Sequence, residues 1–230
     1  MNQMRHVALI PDGNRRWARA HGKTPMEGHE AGAKTSEAVI AAAFDEGIPF
    51  VTIWGCSVGN LANRPPVEAA FLKRMFATYF RRLLQHPDIK KRDMRVRVLG
   101  RWREYFANDA ITAIDEAVTE TADHTKNHLT FLLAYSGLDE LRAAIGKMRE
   151  QGSGMPTEEE VKGALWTSDL PPVDLVIRTG GEPHFSQGFM MWDVAEAQLH
   201  FTETLWPDFS PEELRAILAE KHSTERRFGA

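Results

Sequence analysis

The first place in the chain where chemistry could occur is a carboxylate followed by glycine, asparagine and two arginines. Asp12 comes directly after the short apolar run 7–10, and Arg15 and Arg16 open the segment that follows. Free N–H groups at a helix start and paired guanidinium groups suit a phosphate or diphosphate. A carboxylate among them would repel such a ligand unless a cation lay between, so Asp12 is a candidate Mg²⁺ ligand.

The same residues also fit a purely structural role. A strand followed by Asp-Gly-Asn is an ordinary strand-to-helix turn, in which Asp12 or Asn14 would cap the helix. The residue types alone leave diphosphate binding and simple capping both open.

Two further junctions carry polar groups that could meet the first one. The loop 56–65 is rich in small polar residues and is closed by Arg64, and the segment 178–186 joins Arg178 to glycines and then to Ser186. Both follow predicted strands, and loops at this end of a parallel sheet often carry function. Guanidinium and hydroxyl groups here could donate to an anion.

The elements that must position these groups alternate between strand and helix. Apolar or alternating runs predict strands at 7–10, 49–55, 95–100, 128–135, 173–177 and 198–205, and the intervening periodicity predicts helices, among them 28–46, 66–86 and 107–124. This alternation predicts an α/β fold: one domain over 1–230 with a mainly parallel central β-sheet flanked by helices. Ligands of such sheets bind beyond the carboxyl ends of the strands.

The helix at 66–86 has a broad aromatic and aliphatic face that includes Phe71, Met75, Phe76, Tyr79 and Phe80. Such a face usually belongs to the core. It could also form one wall of an apolar tunnel for a hydrocarbon chain, with one of its bulky residues as the floor.

Composition narrows the class of protein. The 230 residues are 43% hydrophobic and 26% charged, and the net charge of −4 argues against a general nucleic-acid binder. The single cysteine, Cys56, excludes an internal disulfide and a cysteine zinc cluster. No apolar run approaches a membrane span and no secretory signal is seen, so we expect a cytoplasmic enzyme.

Four sequence blocks together resemble one family. The first block is HVALIPDGNRRWA at 6–18 together with GHEAG at 28–32, and the other three are IRTGGE at 177–182, LHFTETLWPDF at 199–209 and the terminal RRFG at 226–229. Their content and order resemble the cis-prenyltransferases, the undecaprenyl diphosphate synthase family. The resemblance implies condensation of an allylic prenyl diphosphate with isopentenyl diphosphate, new Z double bonds, Mg²⁺ as cofactor, an apolar tunnel and a homodimer. It implies no nucleic-acid partner and at most peripheral membrane contact through a lipid product.

The resemblance also implies residue roles. Asp12 would hold Mg²⁺ and assist departure of the allylic diphosphate, and Asn60 would be the catalytic residue of the loop. Because an amide is a poor base, we interpret the role of Asn60 as positioning. The allylic diphosphate would be bound by Gly13, Asn14, Arg15, Arg16, Trp17 and His29; the loop would add Ser57, Val58, Gly59, Leu61 and Arg64; isopentenyl diphosphate would be bound by Arg178, His184, Phe185 and Ser186; and Arg227 and Gly229 would complete the site of a partner subunit.

Several positions depart from the family pattern. Gly59 and Leu61 stand where the loop usually has Glu and Trp, and His184 stands where an arginine is usual. Gln198 aligns with the usual second Mg²⁺ ligand, a glutamate, and a neutral amide is a poorer ligand for this ion.

Three functions therefore stay open at the level of sequence. The favoured one is a chain-elongating synthase, since Asp12, Asn60 and Arg178 persist. The others are an irregular, lavandulyl-type coupling enzyme of the same fold and a non-catalytic scaffold subunit of a heteromeric enzyme. A phosphatase with Asp12 as nucleophile is disfavoured, because the second aspartate expected two residues on is Asn14.

Overall fold

Six short apolar segments form one parallel sheet at the centre of the computed structural model, which describes residues 4–150, 152 and 154–223. The strands run side by side in the order β3-β4-β2-β1-β5-β6. Their bounds are β1 His6–Ile10, β2 Phe50–Cys56, β3 Met94–Leu99, β4 Asn127–Leu133, β5 Leu175–Arg178 and β6 Gln198–Phe201. The predicted parallel α/β fold is confirmed, although the last strand ends at Phe201, four residues earlier than its pattern predicts.

The strands are apolar at successive positions because both faces of the sheet are covered, as is usual for parallel sheets. Val7 and Leu9 of β1 pack into the larger core, whereas Ala8 and Ile10 pack into a second core on the opposite face. The larger core also contains residues of the aromatic face of the helix predicted at 66–86, among them Phe76.

Ten helices of the described chain connect the strands or flank the sheet, and a 3₁₀ turn lies at Trp206–Asp208. Their bounds are α1 Asn14–Ala20, α2 Pro25–Asp45, α3 Val58–Ala62, α4 Pro66–Gln85, α5 Pro87–Lys91, α6 Trp102–Tyr105, α7 Asn108–Glu120, α8 Gly137–Glu150, α9 Glu158–Ala164 and α10 Pro211–Ser223. None of the described helices combines the length and apolar character needed to cross a membrane.

Helix α2 begins three residues earlier than its apolar periodicity predicts. Thr24 accepts a hydrogen bond from the backbone N–H of Glu27, and the Glu27 carboxylate accepts one from the Thr24 N–H, so the two residues form a capping box with Pro25 between them. Residues 25–27, which precede the predicted helix 28–46, therefore form the start of the helix.

The strand order reverses beside β1, and this reversal determines where a ligand site can form. The connection after β1 leads to β2 on one side, whereas β5 joins on the other side. A crevice opens at such a switch point beyond the carboxyl ends of the strands. Asp12 follows β1 and Arg178 ends β5, so the two residues flank it.

Candidate active site

The turn after β1 leaves the carboxylate of Asp12 available. Gly13 caps α1 with φ 114°, and no side chain makes a capping hydrogen bond there. A Cβ on this residue would come within 3.0 Å of the backbone of Leu205, so both space and conformation require glycine. The alternative in which Asp12 or Asn14 serves as the helix cap is therefore wrong.

Two arginines from opposite sides of the switch point bind Asp12. Its Oδ2 lies 3.0 Å from Nη2 of Arg178, and its Oδ1 lies 3.2 Å from Nη2 of Arg16. Arg16 also donates to the carbonyl of Gly180 at 2.6 Å. Gly180 has φ 87°, and a Cβ there would collide with the Arg16 guanidinium, so glycine is what admits this close approach.

Arg178 is a buried cation with unused hydrogen-bonding capacity. Its side chain is 6% exposed, and Nη1 donates to the carbonyl of His184. The buried Nε has no hydrogen-bond partner among the described residues. Because buried donors are nearly always satisfied, an unpaired N–H on a buried cation suits an anionic ligand.

A second charged cluster surrounds Glu68, which is 3% exposed. Its Oε1 lies 3.0 Å from Nη1 of Arg64, 3.0 Å from Nε2 of His29 and 3.5 Å from Nε of Arg15. Arg64 Nη1 also lies 2.8 Å from His29 Nε2. One carboxylate thus holds three of the side chains that the sequence assigns to diphosphate binding.

The pKa values of this cluster follow from burial and charge. Burial lowers the pKa of His29 below its usual value against the opposing pull of Glu68, so the imidazole is neutral near pH 7 and its Nε2–H donates to the Glu68 carboxylate. Burial acts to raise the pKa of Glu68, but the hydrogen bond to His29 and the charges of Arg64 and Arg15 outweigh it and hold that pKa below its usual value. Glu68 is therefore the ionised centre of the cluster.

Replacing Glu68 by Gln is expected to lower the free energy of unfolding by about 2 kcal/mol, because the cluster loses its only anion. Substrate affinity should fall as well, since His29, Arg64 and Arg15 lose the group that orients them. Thermal unfolding and KM measure the two effects. Glu116→Gln at an exposed site is the matched control, and equal behaviour of the two variants would contradict the role given to Glu68.

The loop after β2 folds into the short helix α3, which fixes the orientation of Asn60. Its Oδ1 accepts from the backbone N–H of Ser57 at 3.1 Å, while the Asn60 N–H donates to Ser57 Oγ at 3.1 Å. The Nδ2 group makes no hydrogen bond to the described part of the chain, so it remains as a donor. This geometry suits positioning of an anion and does not suit a base.

A cavity of about 520 Å³ opens at this edge of the sheet and joins the charged groups to an apolar wall. Its charged or polar lining includes Asp12, Asn14, Arg15, His29, Ser57, Asn60, Arg64, Arg178 and Ser186; its apolar lining includes Ile53, Leu72, Met75, Phe76, Tyr79 and Phe131. Phe71 and Phe80 do not line it, and Phe80 is fully buried in the core, so neither is a floor. An anionic head and an apolar tail would fit the two ends of one cavity.

Cys56 also lines the cavity without offering a nucleophile. Burial raises the pKa of its thiol to about 11, so the group stays protonated near neutral pH.

Ten of the predicted site residues line the cavity: the nine polar ones named above and Gly59. The others have different surroundings. Val58 and Leu61 pack into the larger core, and Trp17 donates to Asp208 at 2.6 Å while stacking on His21. Gly13 forms the turn after Asp12, and Arg16, in the first turn of α1, pairs with the Asp12 carboxylate.

The structure does not bring every predicted residue to the cavity. The His184 ring is 58% exposed and lies 3.6 Å from Glu182, and Phe185 packs near Phe201, so only the backbone carbonyl of His184 reaches Arg178. Gln198 pairs in register with Leu175 at the start of β5, roughly 10 Å along the sheet from the rung of Arg178. Within one chain Gln198 therefore does not meet Asp12. Arg227 and Gly229 lie outside the described residues.

The site residues that the sequence did not predict include Glu68, Asn63 and Gln187. Asn63 and Gln187 line the cavity, and Glu68 orders its charged rim. The spacing of Arg64 and Glu68, four residues apart at a helix start, is the one signal that could have found the carboxylate.

The donor set of the site fits Mg²⁺ only in part. Asp12 is a partly exposed carboxylate at the charged end of the cavity, but the described residues contain no cluster of three or more His, Cys, Asp or Glu side chains that could hold a metal. Mg²⁺ is commonly bound by one or two carboxylates together with substrate phosphates and water. The residues present fit that mode, in which Asp12 supplies one carboxylate and the substrate phosphates and water supply the other oxygen ligands.

Comparison with known proteins gives consistent matches along the whole chain. Residues 10–229 match the family model described as putative undecaprenyl diphosphate synthase. An isoprenyl transferase of Thermus thermophilus is 35% identical over 98% of this chain and 88% of its own length. The structure of lavandulyl diphosphate synthase from Lavandula x intermedia, in complex with dimethylallyl diphosphate, superposes with a TM-score of 0.91 at 29% identity, over 98% of each chain. A probable undecaprenyl diphosphate synthase from Campylobacter jejuni has the same fold, with a TM-score of 0.82 at 23% identity over both full lengths.

Proposed function

The chain belongs to the undecaprenyl diphosphate synthase family, and from that premise we propose that it is a cis-prenyltransferase. It would condense isopentenyl diphosphate with an allylic prenyl diphosphate and form Z double bonds. The observation that carries the proposal is one cavity lined both by the polar residues Asp12, Asn60 and Arg178 and by the aromatic residues Phe76 and Tyr79. This arrangement suits substrates with a diphosphate head and a hydrocarbon tail.

The reaction follows from where the charges lie. The C–O bond of the allylic substrate breaks, which leaves an allylic cation and a diphosphate, and Arg15 and Arg16 stabilise the developing negative charge. The alkene of isopentenyl diphosphate, held through Arg178 and Ser186, supplies the electron pair of the new C–C bond. The proton then released passes to a diphosphate oxygen, with Asn60 positioning that group. The apolar wall keeps water from the cation.

Asp12 would hold Mg²⁺ at this site, and the ion, when bound, neutralises charge on the departing diphosphate. The ion would also compensate the repulsion between the Asp12 carboxylate and the ligand. Without a ligand, Arg178 and Arg16 compensate that carboxylate instead.

We further propose a cytoplasmic homodimer in which Arg227 and Gly229 reach the partner's site, with no nucleic-acid partner and only peripheral contact with membranes. Exposed apolar side chains support the dimer: Leu199 on the edge strand β6 is 40% exposed, and Trp192 is 37% exposed. Large apolar residues at a sheet edge suit burial by a second subunit.

Purified protein incubated with labelled isopentenyl diphosphate, Mg²⁺ and allylic primers of five, ten and fifteen carbons tests the proposal. We expect labelled prenyl diphosphates whose formation requires a primer. Primer-independent or absent incorporation would contradict it, and absence of turnover would favour the scaffold alternative.

The likeness to lavandulyl diphosphate synthase makes irregular coupling the second candidate. This function would join two dimethylallyl units, so the protein would form a ten-carbon product from dimethylallyl diphosphate alone. Mass spectrometry of that incubation separates the two functions, because a chain-elongating synthase needs isopentenyl diphosphate as well.

Tyr79 is expected to limit product length. It lines the main cavity and also a second one of about 300 Å³, lined by Ile40, Leu83 and Leu129 among others, so its ring stands between the two. Tyr79→Ala should join the cavities and shift the product distribution toward longer chains, as measured by chromatography of the dephosphorylated products. Phe80→Leu is the control, since it thins the same core without touching either cavity; unchanged lengths in Tyr79→Ala would refute this role.

A further inference from the structure

Gln187 occupies an unusual backbone position at the cavity. Its φ is 49°, and it is one of four non-glycine residues with positive φ in the described chain. Side chains rarely adopt this conformation, and it recurs at functional sites where the surroundings enforce it.

Its surroundings do enforce it. The Gln187 carbonyl accepts from the N–H of Gly137 at 3.1 Å and from the Ser136 hydroxyl at 3.4 Å. A Cβ on Gly137 would overlap the carbonyl of Gly188, so the turn is pressed against the start of α8. The backbone of Gln187 is thereby fixed.

That side chain meets the loop that carries Asn60. The amide Nε2 lies 3.3 Å from the position that a Cβ on Gly59 would take, and Asn63 Nδ2 and Ser57 Oγ are each 3.6 Å from the same position. The side chain of Gln187 is exposed and makes no hydrogen bond to the described part of the chain. A Cβ at position 59 would therefore crowd this amide.

The unused donors around this point belong to one cavity. The amides of Gln187, Asn60 and Asn63 and the unpaired Nε of Arg178 all belong to residues of its lining. Amide and guanidinium N–H groups that line one cavity and lack acceptors suit an anion with several oxygens.

We propose that Gln187 is a diphosphate-binding residue whose amide donates to the diphosphate of isopentenyl diphosphate, and that Gly59 provides the space for it. The proposal rests on the proposed function, which assigns the neighbouring Ser186 and Arg178 to that substrate. No covalent step is involved: the amide binds and orients the diphosphate.

Two substitutions with the same charge change provide the test. Gln187→Glu replaces the donor by a carboxylate at the cavity, and Gln85→Glu does so at an exposed position of α4. We expect Gln187→Glu to weaken binding of isopentenyl diphosphate roughly 10- to 100-fold by titration calorimetry without the allylic substrate, and to leave the KM for the allylic substrate unchanged. Gln85→Glu should change neither.

A double-mutant cycle tests the part given to Gly59. Gly59→Ala should weaken binding by displacing the amide, and it should add nothing in a Gln187→Ala background, where no amide remains. Additive effects would overturn the link between the two residues, and equal binding by Gln187→Glu and Gln85→Glu would overturn the role of Gln187. If the unsubstituted protein binds no isopentenyl diphosphate, the proposed function fails and this inference fails with it.

Discussion

Asp12→Asn is expected to lower kcat/KM roughly 10²- to 10³-fold in the presence of Mg²⁺ and saturating primer. The carboxylate lies at the charged end of the cavity, between Arg16 and Arg178, and it is the group of the site best placed to hold a cation against the substrate diphosphate. An amide of the same shape keeps the packing but loses the charge.

Binding without Mg²⁺ separates this role from a structural one. In magnesium-free buffer, Asp12→Asn should bind inorganic pyrophosphate at least as tightly as the unsubstituted protein, because a negative charge beside the ligand is gone. Asp109→Asn, in an exposed pair with Arg81, is the control and should alter neither activity nor binding. Weaker pyrophosphate binding together with lower thermal stability would show that Asp12 merely holds the fold.

Arg178→Gln is expected to raise the KM for isopentenyl diphosphate about 100-fold. The variant loses a buried guanidinium whose Nε has no partner in the described chain, and hydrogen bonds to charged groups contribute about 1.5–3 kcal/mol each. Arg178→Lys should be nearly as impaired, since an ammonium group lacks the planar arrangement of donors.

The control for this prediction is another strand arginine. Arg97 of β3 is 10% exposed and pairs with Asp169 at 2.7 Å, but it does not line the cavity. Arg97→Gln should lose stability without a change in KM. A similar KM in Arg178→Gln and the unsubstituted protein would remove Arg178 from the substrate site.

The sequence was sufficient for those features that depend on strand order and strand ends. Apolar runs separated by helical periodicity predicted the parallel sheet, and residues directly after β1 and at the end of β5 had to meet at its edge. The pairing of Asp12 with Arg178 across the switch point follows from that topology.

Other features depended on contacts between distant residues, which have no local pattern. Glu68 reads as an ordinary helix glutamate until the fold brings His29 and Arg15 to it. The resemblance implied a metal-binding role for Gln198, yet the register of β6 places this residue at the far end of its strand within one chain. The capping box of Thr24 and Glu27 was local and visible, but the apolar stripe alone pointed to a later helix start.

A crystal structure with Mg²⁺ and an unreactive thio analogue of an allylic diphosphate would show directly whether one cavity binds both parts of this substrate. We expect the diphosphate to bind against Asp12 and Arg15, with the hydrocarbon tail running along Phe76 toward Tyr79 in the same cavity. A diphosphate bound away from Asp12, or a tail lying outside that cavity, would contradict it.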